Sequence, residues 1–140
     1  MQISNLEEIR KKVEEISLKL PQKIDINSYI TFGNQEDFAK PNIEIDNSLF
    51  YNFIVVERGQ ELEKRITLNL DDLLYWIFEL ITFDLASKFE LQNRIENSDF
   101  RKILFKKQEE LLSSISDEWK AKKITEHNEI LKIFPFQDKK

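Results

Sequence analysis

The chain has 140 residues, 41% of them apolar and 34% charged, with a net charge of -5 and no cysteine. That length serves one hydrophobic core, so a single domain over residues 1–140 is expected; the missing cysteine excludes disulfides, thiolate nucleophiles and cysteine-based zinc sites. Residues 24–99 hold 15 Asp/Glu against 6 Lys/Arg, while residues 100–140 hold 10 Lys/Arg against 7 Asp/Glu, so the middle of the chain repels a nucleic-acid backbone and attracts a basic partner.

The N-terminal stretch MQISNLEEIRKKVEEI has no apolar run of the kind a secretory signal needs. Ser4 followed by Glu7 fits a capping box. Leu6, Ile9, Val13, Ile16 and Leu20 then recur at spacings of three and four, predicting an amphipathic helix that Pro21 ends. Ile24, Ile26, Ile30 and Phe32 fall at even positions and predict a strand with one inward face. GNQEDFAKP reads as a loop. NIEI, the turn-forming DNS and LFYNFIVVER predict a β-hairpin whose second arm is rich in aromatic and β-branched residues. Gly59 offers the next turn, and ELEKRITL the next strand, with Leu62, Ile66 and Leu68 directed partly inward.

From Leu70 the period becomes helical. Asn69 can cap the helix, and Asp71 and Asp72 stand in its first turn, where the dipole favours negative charge. Leu73 through Phe83 is apolar nearly all round, which predicts a central helix between the sheet and the remaining helices. Glu79 and Asp84 interrupt this run, so no membrane span of about 20 apolar residues can be drawn through it; a cytoplasmic location is expected. Asn97 or Ser98 can cap a third helix with Phe100, Ile103, Leu104, Leu111, Leu112 and Ile115 as its stripe. Ser116 starts a fourth, with Trp119, Ile124, Ile130 and Leu131 inward, and Pro135 stops it before a short charged tail. The pattern as a whole is α+β: an antiparallel β-meander of three to four strands packed on a bundle of about four helices.

Four charges in FELQNRIENSDFRKILF read as structural fittings: Glu90, Arg94, Asp99 and Arg101. Glu90 and Arg94 are four apart in the favourable order for a helix-surface pair, and Asp99 opens a helix. Arg101 projects into the apolar arc of its helix, where an unpaired guanidinium is costly. An antiparallel hairpin about Asn97 would bring Glu90 to it, so a Glu90–Arg101 contact shared with Arg94 is expected. Asp84 and Lys88 read as a paired inlay in the core, Glu79 as a residue on a solvated edge, and His127, in the polar run EHNE, as an exposed helix residue.

Reaction motifs are missing. The single histidine, His127, has no carboxylate partners placed by sequence, and two isolated glycines, Gly33 and Gly59, cannot form a phosphate loop. No Glu-x-x-His pair and no nucleophile elbow occurs. An enzyme is therefore not expected, nor a cofactor or bound metal. An interaction role fits better: Glu57, Glu61 and Glu63 lie around a strand and turn beside Tyr51 and Phe53, with Asp46 near. Asp46, Tyr51, Glu57, Glu61 and Glu63 are the candidate partner-binding residues, an acidic surface suited to steered binding of a basic protein. The same charges on an edge strand also discourage aggregation.

FIVVERGQELEKR (residues 53–65), LDDLLYWIFE (70–79) and residues 86–112, with Glu90, Arg94, Asp99, Arg101 and Phe105, resemble the immunity protein 63 family of bacterial polymorphic toxin systems. The likeness spans roughly residues 40 to 135 and rests on distributed helical patterning. In one place the chain departs from it: Lys102 follows Arg101 where a second arginine is expected, and lysine cannot repeat a bidentate contact. The resemblance implies a small cytoplasmic protein that binds a cognate toxin domain and blocks it without chemistry. It implies no nucleic acid, membrane or cofactor. The alternative is a non-catalytic adaptor or assembly subunit unrelated to toxins.

Overall fold

The computed structural model describes residues 5–34 and 40–139. The chain forms two compact units, Met1–Ile77 and Phe78–Lys140, with the division falling inside one long helix. Among the described residues the class is α+β, with a four-stranded mixed sheet and four helices.

In the first unit, helix α1 (Leu6–Ser17) is capped by Asn5, whose side-chain oxygen accepts the Glu8 amide at 2.9 Å; Ser4 lies outside the described residues. Ile9, Val13 and Ile16 are buried as their spacing requires. The helix stops three residues before the end of its stripe. The Leu18, Lys19 and Leu20 amides bond to the carbonyls of Glu15, Ile16 and Ser17, a tighter three-residue winding that keeps Leu20 buried. The strand expected from Ile24 is mostly replaced by a single 3-10 turn, Ile26–Ser28, because the Asp25 side chain accepts the Asn27 amide and folds the backbone locally. Ile26 and Ile30 are nonetheless buried.

Only Thr31–Phe32 is strand β1, and it runs parallel to β2 (Asn42–Ile45). β2 pairs antiparallel with β3 (Tyr51–Glu57), and β3 with β4 (Gln60–Thr67), so the spatial order is β1-β2-β3-β4 and β4 is an edge. The expected meander is thus β2-β3-β4, and β1 makes the sheet mixed. Gly33, at φ +72°, follows β1; a Cβ there would meet Leu6 Cδ1 at 2.9 Å, so glycine is what lets α1 approach. α1 packs on β1 and β2. Ile43, Tyr51 and Phe53 are buried.

One face of the last strand is the reverse of expectation. A bulge separates Val55 and Val56, which pair with Glu63 and Glu61. Beyond it Glu63, Arg65 and Thr67 are half-buried, and Leu62, Lys64 and Ile66 are exposed. Leu62, Ile66 and Leu68 are therefore outward, about half exposed each. Period-two alternation names two faces without saying which is covered. Arg65 decides it, because its guanidinium stacks over the rings of Phe53 (5.7 Å) and Trp76 (5.6 Å).

Helix α2 (Leu70–Gln92) begins where expected, the Asn69 side chain accepting the Asp72 amide. Its apolar circumference is not all buried, since Phe83 and Leu91 are exposed. In the second unit, α2 from Phe78 onward meets α3 (Arg101–Ser113) and α4 (Asp117–Ile133). α3 has no side-chain cap from Asn97 or Ser98; Asp99 accepts the Arg101 amide instead, and Asn97 turns the chain at φ +67°. Leu104, Leu111 and Leu112 are buried, and Phe100 is exposed. Gln108, also buried, donates its amide to the Glu79 carbonyl and the Thr82 hydroxyl, tying α3 to α2. Ser116 caps α4, accepting the Trp119 amide. The buried face of α4 is Trp119, Lys123 and His127, four apart, and Ile130 is exposed. Phe78 stacks on Trp119 with centroids 6.0 Å apart.

Candidate partner-binding surface

The β3–β4 hairpin turns on Arg58 and Gly59, both with positive φ (+52° and +74°). That two-residue geometry matches the natural twist of paired strands and leaves little slack at the tip. Glu57 pairs with Gln60 across it, and Glu57 and Glu61 are exposed on either side. By register Glu61 shares the outer face with Ile54, Val56, Lys64 and Ile66, while Leu62 occupies the bulge. The outer surface of the hairpin is thus an apolar row, Leu62, Ile66 and Leu68, interrupted by Lys64, with Glu61 beside it near the tip; Glu57, paired with Gln60, alternates onto the other face.

The other three candidates stand differently. Glu63 lies on the inner face and is held by Arg65 at 3.1 Å. Tyr51 is buried and presents no ring to a partner. Asp46 is at the opposite end of β3, about 20 Å from the tip at ~3.3 Å per residue, and is not near the glutamates as expected. Its carboxylate accepts the Ser48 and Phe50 amides and the Asn52 side-chain amide, and these bonds, Asn52 first, hold its pKa below the ordinary value. Asp46 shapes the β2–β3 turn, in which Leu49 takes φ +67°. Glu57 and Glu61 therefore flank the same turn on opposite faces of the hairpin, and Asp46 and Tyr51 stand apart from them. Arg58 and Lys64 alternate with these acids, so the hairpin carries mixed charge around the acidic residues expected there.

The four charges of the second unit form two separate pairs. Arg94 grips Glu90 through two bonds, at 2.7 and 3.0 Å, and this contact lowers the Glu90 pKa. Arg101 pairs with Asp99 at 2.8 Å; the expected Glu90–Arg101 contact is replaced because Asp99, two residues away, reaches the guanidinium first. The remaining fork of Arg101 donates to the carbonyls of Phe134 and Pro135. Asp99 also accepts the Gln137 amide, and Asp138 accepts the Asp99 amide and the Lys102 ammonium. The Lys139 amide reaches the Asn97 carbonyl. The short charged tail after Pro135 is strapped across the start of α3.

Other pairings join distant positions, and those of His127 with Glu109 and Lys123 with Glu79 have no sequence-local signal. His127, expected to be exposed, is buried: its ring lies 3.8 Å from that of Phe105 at 5°, and Nδ1 is 2.6 Å from Glu109 Oε2. Burial pushes its pKa down, against the pull of Glu109, so the ring is neutral at pH 7 and Nδ1–H donates. Lys123 meets Glu79 and Glu126, so Glu79 is paired as well as partly solvated. Asp84 and Lys88 do pair, at 2.9 Å, but on the surface and outside the core. The heptad-like spacing of Trp119, Lys123 and His127 was visible, but two polar members concealed the stripe.

Among the described residues no cluster of His, Asp or Glu is arranged to hold a metal, and no helix is long and apolar enough to cross a membrane. No curated protein and no solved structure matches the chain. The family model of immunity protein 63 matches residues 46–129, from the Asp46 turn through the buried face of α4. That is well over half of the sequence, and the chain belongs to the immunity protein 63 family.

Proposed function

We propose that this protein binds a cognate toxin domain of a bacterial polymorphic toxin system in the cytoplasm and blocks it without catalysis. The observation that carries the reading is the family match over residues 46–129. The partner-binding surface proposed is the outer face of the β3–β4 hairpin together with its tip, where the exposed Leu62 and Ile66 supply desolvated contact area, Glu61 a polar rim, and Glu57 a carboxylate round the turn. Glu63 contributes through Arg65, keeping the inner face of β4 in place; Tyr51 and Asp46 act by holding β3 and its turn. The test is co-purification with the toxin domain encoded beside it, at low and high salt. Wild-type protein is expected to bind and inhibit, and E57K/E61K to bind more weakly. Absence of binding and inhibition by the wild type removes the toxin reading.

A further inference from the structure

A groove in the second unit, of about 500 Å³, is lined by Phe89, Ile95, Ile103, Lys102, Lys106 and Lys107, with Asn93 and Glu110 at its edges. Its apolar members are accessible: Ile95 is 60% exposed and Phe89 36%. Lys107 lies over the Phe89 ring at 4.4 Å and is 3.9 Å from Glu110, a loose pairing. Lys102 is engaged by Asp138. Lys106, exposed, has no acidic partner among the described residues. Lys102 and Lys106 are also four apart on α3, a like-charge spacing that weakens a helix and gains nothing for the fold.

An apolar floor bordered by Lys106, without an acidic partner among the described residues, and by Lys107, only loosely paired with Glu110, is complementary to a ligand that is apolar on one side and anionic at its flanks; Lys102 is already neutralised by Asp138. We infer that this groove docks an acidic amphipathic helix of a protein partner. Apolar side chains of that helix, three and four apart, would lie on Phe89, Ile95 and Ile103, and its flanking carboxylates would meet Lys106 and Lys107. The charge pattern is the opposite of the β3–β4 tip, with its Glu57 and Glu61. The two surfaces therefore select different partner segments, and the groove stands whether or not the toxin reading does.

The probe is a synthetic helix-forming peptide of about 14 residues, leucines on one face and glutamates flanking them, with a control in which every glutamate is glutamine. Titrated into the full-length protein and followed by backbone amide NMR, the acidic peptide is expected to shift the amides of Phe89, Ile95, Lys106 and Lys107. Lys106→Glu and Ile95→Ser should each weaken it about tenfold, as should the glutamine control. Both substituted residues are exposed, and unchanged thermal unfolding of each variant confirms that the fold is intact. The inference is overturned if the acidic peptide does not bind, if it shifts amides elsewhere, or if Lys106→Glu leaves its affinity unchanged. It is equally overturned if decanoate occupies the groove and the peptide does not, which would make the site one for a small amphiphilic anion.

Discussion

Arg101 joins the start of α3 to the tail through one guanidinium, bonding Asp99 on one side and the Phe134 and Pro135 carbonyls on the other. Only a planar fork makes those contacts together. Arg101→Lys is expected to raise amide exchange at Gln137 and Lys139 on the order of tenfold, with little change in the core of α3, as read by hydrogen exchange. The Arg101 bond, with the Gln137 and Arg101 amides, holds the Asp99 carboxyl well below the usual carboxylate range. Its folded pKa is thus depressed, and its contribution is fully present above the unfolded value of about 3.9 and lost only as pH falls far below it. Tail protection should persist below pH ~3.9 in the wild type, and Asp99→Asn should remove both the protection and its acid dependence. His127 follows the same sign with a different window: a histidine buried neutral stabilises fully above its ordinary pKa of 6.5 and loses that contribution as pH falls below it. Urea midpoints taken at about pH 7.5 and about pH 5.5 should differ in the wild type, and the difference should shrink in His127→Gln.

Among the elements, α4 shows how unequal its buried residues are. Trp119 stacks on Phe78 and is 5% exposed, so Trp119→Ala should cost about 3–5 kcal/mol in chemical denaturation. Lys123→Met should change stability by under ~1 kcal/mol, since methionine refills the volume of the stem and both Glu79 and Glu126 reach solvent. These contrasts also mark what the sequence made legible. The stripe Ile9, Val13, Ile16 and the change of period at Leu70 required only apolar spacing, and both elements are where that spacing put them. The hairpins followed from turn residues in the same way. The faces of β4 did not, because its alternation is satisfied by either orientation and the deciding contacts, Arg65 over Phe53 and Trp76, come from distant positions. His127 reads as solvated because its burial depends on Glu109 on another helix, which no local pattern pairs with it; Lys123 likewise carries no local signal of its pairing with Glu79. Of the candidate surface, Glu57 and Glu61 were legible as turn-flanking acids; the apolar row beside them was seen and assigned to the wrong side.

For the molecule as a whole, charge is distributed by sequence region: residues 24–99 are strongly acidic in balance, and residues 100–140 basic. If the proposed surface is the one used, a partner steered to the β3–β4 tip should associate more slowly as salt rises, while dissociation, set by the apolar contacts proposed for Leu62 and Ile66, changes little. Stopped-flow association and dissociation rates for the proposed complex, at low and high salt, check this; equal salt dependence of the two rates would contradict it. The order of the sheet has a consequence in time. Neighbouring strands in space are also neighbours in sequence, so each pairing closes a short loop, the least entropically costly kind. On loop length alone the β3–β4 hairpin, with two residues in its turn, is expected to close first, on the order of 1–10 μs in an isolated hairpin. β2 joins across the Asp46 turn, and β1 last, across the longer segment from Gly33 to Pro41. During folding, then, the tip bearing Glu57 and Glu61 is the oldest part of the sheet.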